Sequence, residues 1–138
     1  MSVAALAHRI GQQVNVKLSE VNCPLTYSQI RVLSAIHHAQ SDVSQTDVCT
    51  TTGIDRSTVA TITAKLEARK LVKRVRRRTD ARTYTITMTA SGKELLAVAL
   101  TAMNAVDQEL AAEYPGVAKD AARKPLVKKP MAPAAMRA

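Results

Sequence analysis

SQTDVCTTTGIDRSTVATITAKLEARKLVKRVRRRTDARTYTITMT, residues 44–89, is the stretch whose reading decides the fold. It opens on Ser44 with Asp47 three residues on. At that spacing each side chain can accept the other's free backbone N–H and start a helix. Thr52-Gly53 ends this helix, because glycine takes the left-handed turn that other residues resist. Asp55 then caps a second helix, with Val59, Ile62 and Leu66 at helical spacing on one face. The opposite face carries Arg56, Ser57, Thr58, Thr61 and Lys65, and is polar, short-chained and lightly basic.

Two helices joined by a tight glycine turn, the second presenting hydroxyls and cations, fit a DNA major groove. Two β-like runs follow, 71–77 and 83–88, on either side of residues 78–82. Tyr84, Ile86 and Met88 alternate with threonines, the pattern of a half-buried strand. Helix, turn, helix and hairpin make a winged helix-turn-helix. The fold class expected is therefore mainly α with a small β-hairpin wing, flanked by long helices.

Three stretches carry a family resemblance: LTYSQIRVL at 25–33, IDRSTVATITAKLEARKLV at 54–72 and TDARTYTITMTASGKELL at 79–96. They resemble the MarR-type transcriptional regulators, over roughly residues 1–114. The resemblance implies a homodimer on a pseudo-palindromic duplex operator, most often as a repressor. It also implies release when a small molecule, frequently an aromatic acid or phenol, enters a pocket between dimerisation helices and winged module. The organisation expected is a dimerisation helix in 1–24, the winged module in 25–89, a long dimerisation helix in 90–116 and a tail in 117–138.

Charge supports a polyanionic partner. The chain of 138 residues carries a formal net charge of +9, unevenly spread. Residues 69–82 hold eight basic side chains against Asp80 alone, and residues 117–138 hold six against one acid. A one-sign cluster repels itself unless a polyanion neutralises it. With no Phe, no Trp and three Tyr, the chain lacks the stacking platforms of a single-strand binder. The hydrophobic share of 46% is enough for one core built from Leu, Ile, Val, Ala and Met. No apolar run is read as long enough to span a membrane, and the start lacks the basic region of a signal peptide. The location expected is the cytoplasm, with no membrane partner.

The flanks read as helices. Val3, Leu6, Ile10, Val14, Leu18 and Val21 recur at spacings of three and four, and Asn22-Cys23-Pro24 stops that run. Thr26 and Gln29 form a second capping box ahead of Ile30, Leu33 and Ile36. Val43 is the one strand-like residue of the link that follows. Lys70 stands where the family usually has glycine. If that position is left-handed, lysine costs roughly 1 kcal/mol there. Thr89 can cap a long helix reaching Tyr114, with Leu96, Ala99, Met103, Val106 and Leu110 as an apolar seam. That seam reads as too long for its own module and so as a contact with a second chain. The prolines of the tail, Pro125, Pro130 and Pro133, argue against a packed last helix there.

Candidate DNA contacts are Ser44, Thr46, Arg56, Ser57, Thr58, Thr61 and Lys65 on the helices, and Arg74, Arg76, Arg77, Arg78, Asp80 and Arg82 on the wing. Asp80, between Arg78 and Arg82, is read as orienting Arg82. Cys49 is expected to pack as a small hydrophobe. Cys23 lies where a branch of the family places a peroxide-sensing thiol, so a redox switch is the alternative within regulation. Outside regulation, the alternative is a non-specific architectural nucleic-acid protein. No nucleophile elbow, phosphate loop or metal-ligand spacing is present, so neither an enzyme nor a cofactor or metal site is expected. Neighbouring His37 and His38 point to different sides of a helix and do not suit one metal ion.

Overall fold

The first helix, α1 (Val3–Glu20), starts on Ser2, whose hydroxyl accepts the Ala5 N–H at 3.1 Å. The computed structural model describes residues 2–39, 42–76 and 84–116. α1 buries Val14 and Leu18 and ends with the N–H of Cys23 on the Leu18 carbonyl. Asn22 lies left-handed there, φ 57°, so the stop is made by an asparagine turn as well as by Pro24. α2 (Tyr27–His38) opens on the Thr26–Gln29 box and buries Ile30, Val32, Leu33 and Ile36.

α3 (Gln45–Thr52) opens on the Ser44–Asp47 box and closes on Gly53, which is left-handed at φ 73°. α4 (Arg56–Ala68) buries Val59, Ile62, Thr63 and Leu66. Its end is the position where lysine replaces the family's glycine. Lys70 is left-handed, φ 60°, with its N–H on the Glu67 carbonyl and the Leu71 N–H on the Leu66 carbonyl. The helix therefore terminates tightly, and Lys70 carries the strain of the turn.

β1 (Val72–Arg76) and β2 (Tyr84–Met88) pair antiparallel, Val72 opposite Met88 and Arg76 opposite Tyr84. Val43 bridges Ile86 on the far side of β2. The expected alternation along β2 holds only in part. Ile86 is buried, but Tyr84 is 40% exposed and Thr85 is 3% exposed. Thr85 can be buried because its hydroxyl donates to the Val75 carbonyl, while the Tyr84 phenol accepts from Arg76 Nε in the open.

Thr89 joins the winged module to α5 (Ala90–Glu113). Its N–H donates to the Leu71 carbonyl, and its hydroxyl donates to the Lys70 carbonyl while accepting the Gly92 N–H. A Cβ on Gly92 would lie 2.1 Å from the Leu71 oxygen, so only glycine allows this approach. α5 corrects two expectations. Its seam of Leu96, Ala99, Met103 and Val106 is buried within the chain against α1 and α2, so the seam itself needs no second copy. By length and composition α5 also qualifies as a membrane span, with a mean hydropathy of 1.2, which the sequence reading denied of any run. In the fold its seam faces the core and most of its other residues lie outside it. Lys17–Glu109, at 2.8 Å, and Tyr114 Oη donating to Gln13 Oε1 close α5 onto α1.

Candidate nucleic-acid interface

The exposed face of α4 is built by its own cap. Asp55 accepts the Thr58 N–H, the Thr58 hydroxyl at 2.6 Å and the Ser57 hydroxyl at 2.7 Å. These hydrogen bonds, the Thr58 hydroxyl first, hold the Asp55 carboxyl down to a pKa of about 2. One turn on, the Thr61 hydroxyl donates to the Ser57 carbonyl at 3.0 Å. A hydroxyl has one proton to give and two lone pairs. With the protons spent internally, Ser57, Thr58 and Thr61 present lone pairs and two methyl groups outward. Such a surface accepts from exocyclic amino groups and packs on thymine methyls. Arg56 and Lys65, also exposed, supply the cations at either end.

Between this face and the wing lies an open cleft of about 320 Å³. Ser44, Gln45 and Thr46 of the first turn of α3 line one side, Arg56 the end, and Arg74 and Tyr84 the wing side over Ile86. Arg56 donates to Thr46 Oγ1 at 3.1 Å, and the Gln45 amide donates to the Arg56 carbonyl at 3.4 Å. Arg74 makes a two-pronged pair with Glu67, both bonds at 3.1 Å. Arg76 lies with its guanidinium carbon 5.4 Å from the Tyr84 ring centroid.

The structure thus brings together Ser44, Thr46, Arg56 and Arg74 at one cleft and Ser57, Thr58, Thr61 and Lys65 on the adjoining face. Arg76 stands beyond them on the wing. Arg77, Arg78, Asp80 and Arg82 lie outside the described residues. Sequence reasoning missed Glu67, because nothing in the local pattern points to its partner Arg74 seven residues on. It also missed Arg31. That guanidinium donates to the carbonyl of Thr52, at the turn between α3 and α4, and sits 5.8 Å from the Tyr27 ring centroid. Tyr27 in turn gives its N–H to Asn15 of α1. Burial pushes the Tyr27 phenol up, with nearby Asp107 of α5 adding to it and Arg31 opposing, and burial raises the Asp107 carboxyl as well. One chain of contacts therefore runs from α1 through Tyr27 and Arg31 to the turn of the helix-turn-helix.

Neither cysteine is fully buried. Cys49 packs half-buried against the core, close to its expected role. Cys23 lines a cleft of about 420 Å³ with Asn15, Ser19, Asn22 and Thr26, and none of the described residues lining it is basic. His37 and His38 meet edge-on at 85°, and His38 Nδ1 bonds the Ser34 carbonyl at 2.8 Å. Among the described residues, no three His, Cys, Asp or Glu side chains converge on a point that could hold a metal.

Residues 24–83 match the family model of the MarR family. A search of the curated proteins finds no match. Among solved structures, the chain is similar to Bordetella bronchiseptica BpsR, whose DNA binding is regulated by 6-hydroxynicotinic acid. The two are 26% identical over 88% of either chain, with a TM-score of 0.72. Apo MarR from E. coli matches at 16% identity over 89% of this chain and 93% of that one, TM-score 0.67. An S. aureus MepR mutant bound to an oligodeoxyribonucleotide matches at 22% identity over 87% and 86%, TM-score 0.58. At those identities the last two show the shared fold.

Proposed function

From the match of residues 24–83 to the MarR family of transcriptional regulators, we propose that this chain belongs to that family and is a homodimeric, sequence-specific reader of duplex DNA. It acts in the cytoplasm as a repressor, released by a small aromatic acid. The observation that carries the reading is the exposed face of α4. Three of its hydroxyls are held by internal hydrogen bonds, and it lies beside a cleft lined by Arg56 and Arg74. Internal ties on an exposed surface fix acceptors and methyl groups in place before a partner arrives, which is what base reading requires.

The dimer now rests only in part on the residues the sequence suggested. With the α5 seam covered by the chain itself, the large apolar side chains left exposed in residues 2–24 and 90–116 are Val3 (86% exposed), Val16 (57%), Val21 (50%) and Val98 (58%). Two-fold readers of this kind bind symmetric half-sites about one helical turn apart. Residues 1–24 and 90–116 supply the pairing helices and residues 25–89 the reader. The effector reading draws on BpsR, and the Arg31–Thr52 bond is a contact through which displacement of α2 would reach the turn before α4.

Selecting genomic fragments with the purified protein identifies the operator, and footprinting it tests the reading. A short protected pseudo-palindrome bound by two chains, and released by an aromatic acid such as 6-hydroxynicotinic acid, is the expected result. Uniform protection of any duplex would instead mean an architectural protein.

A further inference from the structure

We propose that Glu67 is a positioning residue for DNA binding, turning Arg74 into a phosphate ligand at the cleft between α3 and the wing. This rests on the DNA-binding reading above and assigns one subsite within it. Arg74 gives Nε–H and one N–H of its terminal amino group to the two oxygens of Glu67, both at 3.1 Å. A guanidinium has five N–H donors, so this side-on pair leaves three. The two side chains are 38% and 39% exposed, so water screens the pair and its share in stability is small. Its geometric consequence is larger. A forked pair fixes the plane of the guanidinium, which a flexible arginine in water lacks.

Arg74 lines the cleft together with Arg56, Ser44 and Thr46, and none of the described residues lining it is acidic. Arg56 is tethered more loosely, by a single bond to Thr46 Oγ1 at 3.1 Å. Two guanidinium groups, each held by a neighbour of its own chain, thus border one open cleft. Planar forks of this kind suit the paired oxygens of a phosphate. The cleft adjoins the exposed first turn of α4 through Arg56, so the phosphate that reaches it when α4 enters a major groove is one of the DNA backbone. Contacts of that class set register without reading sequence.

The sign of one substitution tests this. Glu67→Gln makes the protein one charge more positive, so net charge alone predicts tighter DNA binding. Positioning predicts the reverse: binding about tenfold weaker on operator and scrambled duplex alike, the loss of one charge-assisted contact. The salt slope should fall by about 0.9, one phosphate contact. In an Arg74→Gln background, Glu67→Gln should then weaken binding no further, whereas a general structural role would persist there. Arg74→Lys keeps the charge without the fork and should bind about as weakly as Arg74→Gln. That variant carries the test if Glu67→Gln loses its cooperative melt. Wild-type or tighter binding by Glu67→Gln, or full binding by Arg74→Lys, overturns the assignment. Saturable binding of inorganic phosphate at matched ionic strength, abolished by Arg74→Gln, would make the cleft a free-anion site and overturn it too. A wild-type protein that retards no duplex fails the DNA-binding reading itself, and so is distinguishable from failure of this subsite.

Discussion

α4 and α5 begin alike, each with the preceding side chain accepting an N–H from the first turn: Asp55 from Thr58, and Thr89 from Gly92. Beyond the cap they diverge. α5 turns Leu96, Ala99, Met103 and Val106 into the core, each at most 6% exposed. α4 buries a comparable stripe but also orders its outer side, where Asp55, Ser57, Thr58 and Thr61 are tied by side-chain bonds of 2.6–3.0 Å. Hydrogen bonds open to water contribute little to folding. Their concentration on one exposed face is what the proposed reading of DNA would use. One helix secures the fold through its inner face, and the other adds a rigid outer face that does something else.

That contrast can be broken most directly at its stable end. Leu96→Ala should cost about 2–5 kcal/mol of unfolding free energy, because it deletes buried methyl groups and leaves a cavity. Denaturant unfolding measures it. DNA affinity of the fraction still folded should be unchanged, and a loss under 1 kcal/mol would mean that the seam is not the core. The mirror experiment is Thr61→Ala. It should cost about 1–3 kcal/mol on the operator, little on scrambled DNA, and leave stability within about 0.5 kcal/mol of wild type. Equal losses on both duplexes would show that this face positions the protein without reading it.

The two faces were not equally legible. The caps at Thr26, Ser44, Asp55 and Thr89 follow from local chemistry, since an oxygen three residues before a free N–H reaches it in few conformations. The α5 seam was legible as a stripe, but periodicity says which residues share a side and not what covers them. The cover was α1 and α2 of the same chain. Tyr84 and Thr85 depart from alternation because Thr85 finds the Val75 carbonyl for its hydroxyl and Tyr84 finds Arg76 in the open, partners that periodicity does not show. Glu67 and Arg31 were illegible, since their partners Arg74 and Thr52 are fixed by tertiary geometry. Lys70 lies between these cases, because its departure from glycine could be seen and its backbone could not.

Lys70 sharpens the comparison from the side of folding alone. Gly53 and Lys70 close α3 and α4 in the same left-handed region, one with the residue that suits it and one without. Lys70→Gly should raise stability by about 1 kcal/mol. Chemical denaturation reads it, and DNA affinity should fall no more than the loss of one exposed cation implies. No gain would mean that the lysine turn is unstrained.

The smallest expected effect concerns the ties on α4 themselves. Asp55 has a pKa of about 2 in the folded chain against an ordinary value of 3.8, chiefly through the hydroxyls of Thr58 and Ser57. A carboxyl depressed by folding stabilises the native state while ionised, so the contribution is complete above 3.8 and disappears as pH falls towards 2. Asp55→Asn keeps a side-chain oxygen for the Thr58 N–H, since asparagine caps as well as aspartate, but it cannot titrate. Other carboxyls titrate in both proteins and largely cancel in the difference between them. Melting temperatures taken from pH 5 down to pH 2 should therefore start with the wild type ahead and converge, as the wild type alone loses this contribution. Parallel curves would mean that the hydroxyls do not hold the carboxylate ionised. The outer face of α4 would then be no more ordered than that of α5, and the comparison would fail.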